Sequence, residues 1–206
     1  MSSDAKKALL EAAADVFGHF GFKKASVEDI ARLAGVGKGT VYLHFDSKEA
    51  LLEAVMRQLL GQDGAEVEAQ VEQATSPADK LRAFFDAKLA LLERMTRRKL
   101  ATFKNRGFAS METAIEFAGA SPNVVAEFRE RDIKLVTSIL EEGRSAGVFH
   151  LDDARILAVG IIDFLMFTSV KIITWDDESR IAVRAVVNCL VGGLLAGTPS
   201  PSPKES

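Results

Sequence analysis

The residues best equipped for chemistry lie between Ser26 and Lys48. Lys38, Thr40, Tyr42, His44 and Lys48 crowd cationic and hydrogen-bonding groups into a short span, and Tyr42 is the single tyrosine of the chain. These are donors of the kind that meet phosphate oxygens and base edges. Gly39 permits close backbone approach, and a helix start at Lys38 would offer free N–H groups to phosphates. Lys48 stands in the first turn of a following helix, where a cation opposes the dipole. A phosphate docked there would explain it.

Other chemistries fail on spacing. Gly37-Lys38-Gly39-Thr40 lacks the hydroxyl residue directly after Gly-Lys that a phosphate-binding loop needs, and Arg32 stands where its first glycine should be. Gly35-x-Gly37 fails the dinucleotide fingerprint at Thr40. Cys189 is the single cysteine, and His19, His44 and His150 are scattered, so neither a disulfide framework nor a metal cluster is expected. No acid–base pair or nucleophile–histidine arrangement supports an enzyme, for instance one acting on lipid-like substrates. No cofactor is expected.

The elements that must hold the donors are helices. Ser26 and Asp29 fit a capping box, Gly35 ends the short helix they open, and another short helix follows from Lys38. Two short helices about a glycine turn make a helix-turn-helix. Ala31 and Ala34 allow close crossing, and Ile30, Val36, Val41 and Phe45 supply apolar contacts. A first helix over about 4–20, with Leu10, Ala13, Phe17 and Phe20 on one stripe, covers them before Gly21 ends it. Asp46 or Ser47 caps a fourth helix running to between Leu60 and Ala74. Further helices are expected from Pro77 to about Leu100, from Thr102 to Ala118, from Pro122 to Ser145 with Gly147 as stop, from Asp152 or Asp153 to about Thr174, and from Asp176 or Asp177 to about Ala196. The fold class is all-α, with nine helices. The tail 198–206, rich in Pro and Ser, is expected to be disordered.

The chain has 206 residues, 48% of them hydrophobic, and a net charge of −3. That balance excludes unselective coating of nucleic acid by bulk charge. Residues 1–60 carry eight basic and eight acidic groups, while 23–48 carry five and three, a local +2. No signal-peptide pattern opens the sequence, and a cytoplasmic location is expected. The apolar stretches 156–175 and 181–196 contain Asp163 and Lys171, and Arg184 and Asn188. They read as buried or interface helices rather than membrane spans.

From about Ala8 to Ala54 the chain resembles the DNA-binding domain of TetR-type (tetracycline-repressor-like) transcription regulators. The resemblance rests on Phe17-x-x-Phe20-Gly21-Phe22, Ser26-Val27-x-x-Ile30-Ala31-x-x-Ala34-Gly35-Val36, Gly37-Lys38-Gly39-Thr40-Val41-Tyr42-x-His44-Phe45 and Ser47-Lys48-Glu49-x-Leu51. Leu43 departs from the aromatic residue common there, which removes a phosphate contact. The resemblance implies a DNA-binding domain over 1–48, a connecting fourth helix over 47–74, and an effector-binding and dimerisation domain over 75–197. Lys38, Gly39 and Thr40 would open the recognition helix, Tyr42 and His44 would touch phosphate or sugar, and Ser26 and Lys48 would clamp the backbone. The implied function is that of a homodimeric repressor released from a palindromic double-stranded operator by a small apolar or aromatic effector. The alternative is the same fold acting through protein partners without an effector.

Candidate effector-pocket residues are Phe84, Phe85, Lys88, Leu91, Leu92, Met95, Phe103, Phe108, Met111, Phe117, Ile139, Phe164, Phe167 and Trp175. Ordinary core is the competing reading for each. Lys88 and Asp163, charged on apolar faces, need partners: each other, a second subunit or a ligand. The candidate dimer surface is Ile156, Phe164, Val183, Val187, Leu190, Val191 and Leu194. A basic run, Arg94, Arg97, Arg98, Lys99, Lys104 and Arg106, would support the duplex or relay ligand occupancy.

Overall fold

The computed structural model describes residues 2–102, 111–171 and 177–196, with side chains over 4–91, 93–94, 116–166 and 181–196. Among them are nine helices and no strand: α1 (Ser2–Lys24), α2 (Val27–Leu33), α3 (Lys38–His44), α4 (Lys48–Glu72), α5 (Pro77–Thr102), α6 (Met111–Ala120), α7 (Pro122–Ser145), α8 (Ala154–Lys171) and α9 (Asp177–Ala196). No described helix is long and apolar enough to cross a membrane.

Local chemistry sets most ends. Gly21, at φ 76°, breaks the regular helix inside α1. Ser26, Ser47, Ser76 and Asp153 each accept a backbone N–H from three residues on, at the starts of α2, α4, α5 and α8. At the end of α2, Val36 N–H reaches Ala31 O and Gly35 N–H reaches Arg32 O, with Gly35 left-handed at φ 69°. This Schellman turn recurs at the end of α7, where Val148 and Gly147 bond Gly143 O and Arg144 O, and Gly147 also has φ 69°. The expected start of the sixth helix at Thr102 is corrected: Thr102 belongs to α5, and α6 is described over Met111–Ala120. Residues 103–110 and the tail 198–206 lie outside the described residues.

The chain divides into two compact units. The first holds 1–62 and 99–128 and the second 63–98 and 129–206. In the first, Leu9, Ala13, Phe17, Ile30, Val41, Leu51 and Leu52 are sealed together, and α6 adds Phe117 and Ala120 to their edge. Glu116 accepts the Lys23 backbone N–H, which fastens α6 to the end of α1. In the second, Leu81, Phe84, Ile133, Val136, Leu140, Ile162 and Val191 form a separate core.

Candidate nucleic-acid interface

α3 is a short helix with one buried side. Val41 inside it and Phe45 at its C-cap are almost sealed. The opposite side carries Gly39, Tyr42 and Leu43, at the i, i+3 and i+4 spacing that puts residues on one helical face. Lys38, Gly39, Tyr42 and Leu43 are exposed, and Thr40 and His44 are half-buried. Leu43 is 84% exposed, an apolar side chain standing free on a polar helix. His44 lies against Phe45, with ring centroids 6.4 Å apart.

The donors differ in what they already hold. Ser26 Oγ accepts the Asp29 N–H at 3.1 Å and donates to Asp29 Oδ2 at 2.6 Å, so its only hydroxyl proton is engaged. The capping box thus closes through the hydroxyl rather than through the Ser26 backbone N–H. Asp29 also accepts from Arg32. Lys48 Nζ donates to Phe22 O at 2.9 Å and Ala25 O at 3.1 Å, and stands 4.5 Å from the Phe22 ring centroid. Its place in the first turn of α4 is therefore explained within the fold, by carbonyls of the last turn of α1 and the residue after it. One of its three N–H groups remains for a phosphate.

Lys38 Nζ donates to Glu28 Oε1. That hydrogen bond holds the Glu28 carboxyl below its ordinary range and the Lys38 ammonium above its own. Sequence reading missed this pair: ten residues separate the two, and only the α2–α3 turn brings them together.

The other candidates fall as follows. Phe84, Phe85, Leu91 and Ile139 are buried in the core of the second unit. Phe117 does not join them, because it packs against the core of the first unit. Lys88 pairs with Asp132 and lies 5.8 Å from the Phe84 ring centroid, while Asp163 accepts two hydrogen bonds from Arg129 at 2.7 and 2.9 Å. Lys88 and Asp163 are thus partnered separately. The side chains of Leu92, Met95, Met111 and Phe167, and the residues Phe103, Phe108 and Trp175, lie outside the described residues. So do the side chains of Arg97, Arg98 and Lys99 and the residues Lys104 and Arg106; Arg94 holds Glu66 by two bonds of 2.7 Å.

Of the candidate dimer residues, Val183, Val187, Val191 and Leu194 are buried in the second unit and Leu190 packs against it. Their spacing is that of an inward stripe. Ile156 and Phe164 remain exposed, as do Ile181, Val186 and Leu195.

No group of three or more His, Cys, Asp or Glu that could hold a metal occurs among the described residues. A family model described as bacterial regulatory proteins, tetR family, matches residues 9–55. The transcriptional repressor KstR2 of Mycolicibacterium smegmatis is 39% identical over 85 residues, 41% of this chain and 42% of that protein. The chain spans less than half the length of the curated relatives it matches. A putative TetR-family regulator from Rhodococcus sp. superposes with a TM-score of 0.70 at 18% identity, over 94% of this chain and 99% of the other. The FadR regulator of Bacillus subtilis, solved with stearoyl-CoA, superposes with a TM-score of 0.60 at 20% identity, over 94% and 99%. Residues 9–55 thus match the N-terminal model of the tetR family of bacterial regulatory proteins, and the described helices share the fold of the Rhodococcus regulator.

Proposed function

We propose that the chain is a DNA-binding transcriptional regulator, a cytoplasmic homodimer that represses from a palindromic operator. Residues 1–48 read the operator, the fourth helix over 47–74 connects, and 75–197 dimerise and take a small apolar or aromatic effector that releases the DNA. The observation that carries this reading is the outward face of α3, held on a sealed core of α1 to α4 residues within the span the family model matches. Lys38, Gly39, Thr40, Tyr42 and His44 make the contacts. Ser26 and Lys48 chiefly frame them, since their polar groups are engaged within the fold. One seven-residue helix reads few bases, so two copies on two half-sites supply the affinity.

The dimer surface is the exposed side of α8 and α9: Ile156, Phe164, Ile181, Val186 and Leu195. An apolar effector is supported by the stearoyl-CoA held by the FadR relative. The effector-free alternative is favoured by the close packing of Phe84, Phe85, Leu91 and Ile139.

In vitro selection from a random duplex library, followed by gel shift, tests the core of the reading. An enriched two-fold-symmetric site bound by two chains is expected, and enrichment of no site refutes it. Thermal shift against stearoyl-CoA and aromatic drugs tests the effector. A ligand that raises the melting temperature and releases the selected site is expected.

A further inference from the structure

Lys38 opens α3, and Glu28 lies in the first turn of α2. Their side chains are 52% and 60% exposed, yet they meet through a charge-assisted hydrogen bond. A carboxylate oxygen and a phosphate oxygen offer an ammonium the same thing: an anionic acceptor with lone pairs to spare. Glu28 therefore engages on Lys38 a donor and a charge that a backbone phosphate would otherwise draw on. Its neighbour Asp29 has other duties, holding Ser26 and Arg32. A cation in the first turn of a helix is also unfavourable, and the carboxylate beside it compensates. The surrounding charge is small, since residues 1–60 balance at eight basic and eight acidic groups. In such a head a single occupied lysine changes the attraction to DNA appreciably.

We infer that Glu28 is an internal competitor for the phosphate site on Lys38, and that it sets how tightly the head holds DNA of unselected sequence. The inference rests on the reading of α3 as a DNA-contacting helix. In the free protein Glu28 holds one of the three Lys38 N–H groups and offsets its charge. On a duplex of unselected sequence the carboxylate goes on offsetting that charge, so the pair neutralises little of a phosphate. This weakens the sequence-independent attraction that would otherwise keep the protein on random DNA.

The test uses the full chain and a labelled short duplex of random sequence, read by fluorescence anisotropy across a salt series. Wild type, Glu28→Gln, Lys38→Gln and the double variant are compared, with circular dichroism melts to show that each is folded. Glu28→Ala repeats the test without a side chain able to hold Lys38. Freeing Lys38 is expected to tighten binding and to steepen the salt slope by about 0.9 per head. Between about 50 and 200 mM salt that slope corresponds to an added affinity change of about 3.5-fold per head. In the Lys38→Gln background the Glu28 change is expected to do little. If Glu28→Gln and Glu28→Ala leave affinity and slope unchanged, or act equally with and without Lys38, the competitor role is overturned while the DNA-binding reading stands. If Lys38→Gln itself changes nothing, or wild type binds no duplex at low salt, the DNA-contact reading of Lys38 fails and takes the competitor with it.

Discussion

Gly143 lies in the last turn of α7, and a β-carbon added there would meet the Phe149 ring. The built distances are 2.0 Å to Cδ2, 2.5 Å to Cε2 and 2.7 Å to Cγ. Carbon atoms at ease stand about 3.5–4.0 Å apart, so the ring must retreat by roughly 1.5 Å. It has little room, being only 2% exposed and part of the second unit's core. Backbone bonds also pin it, since Phe149 N–H and Val148 N–H both end on Gly143 O, at 3.0 and 2.9 Å. Two effects compete in Gly143→Ala. Helix propensity favours alanine by about 1 kcal/mol. Overpacking costs about 1–3 kcal/mol, and a displacement this large belongs at the upper end. The clash wins by about 2 kcal/mol, which lowers the melting temperature by about 4–8 °C for a chain of this size. Differential scanning calorimetry of Gly143→Ala, Phe149→Ala and the double variant separates the terms. With the ring gone, Gly143→Ala should stabilise by up to about 1 kcal/mol, a coupling of about 3 kcal/mol across the pair. A melting temperature unchanged or raised by Gly143→Ala in wild type refutes the reasoning, as would equal effects in both backgrounds.

Other expectations concern assembly, burial and pH. Ile156→Glu with Ile181→Glu, at positions 71% and 69% exposed, should leave the helical signal intact and give monomers by light scattering, whereas Val191→Asp, at a fully buried position, should unfold the second unit. A retained dimer in the first variant removes that face from the interface. The Ser121 hydroxyl is fully buried and has no hydrogen-bond partner among the described residues, so Ser121→Ala should hold or raise the melting temperature; a loss above about 1 kcal/mol would contradict this. Glu66, Glu68 and Glu130 are held below the ordinary carboxylate range by hydrogen bonds from Arg94, Arg131 and Arg155. Because their folded values lie below the unfolded ones, their stabilisation is full above that range and is lost as pH falls through about 5 to 3. The melting temperature should fall over that interval, less steeply in Glu68→Gln, and a flat or rising profile would contradict the sign.

What was legible in the sequence was local chemistry. Ser26, Ser76 and Asp153 announce helix starts because a short side-chain oxygen reaches an N–H three residues on. Gly35 and Gly147 announce stops because left-handed backbone favours glycine. Donors at Lys38, Tyr42 and His44 were visible as a set because one short helix carries them. Long-range partners left no such mark. Nothing in the spacing says that Lys48 will bind carbonyls 26 and 23 residues away, or that Lys38 will hold Glu28. The apolar periodicity of α9 is real, but a stripe at 183, 187, 191 and 194 does not declare whose core it faces. Here it faces its own, and Ile181, Val186 and Leu195 point elsewhere.

The docking of α6 on the helix-turn-helix unit has a consequence for biosynthesis. Leu9 through Val55 emerge from the ribosome together and can begin to collapse at once. Glu116, Phe117 and Ala120, which close the flank of that cluster, come later. At about 5–20 residues per second, the roughly 60 residues from Met56 to Glu116 take about 3–12 s to make. During that interval the nascent domain exists with one apolar flank uncovered. Chaperone engagement, and any attempt to express the domain as a fragment ending near residue 60, would meet that unfinished form.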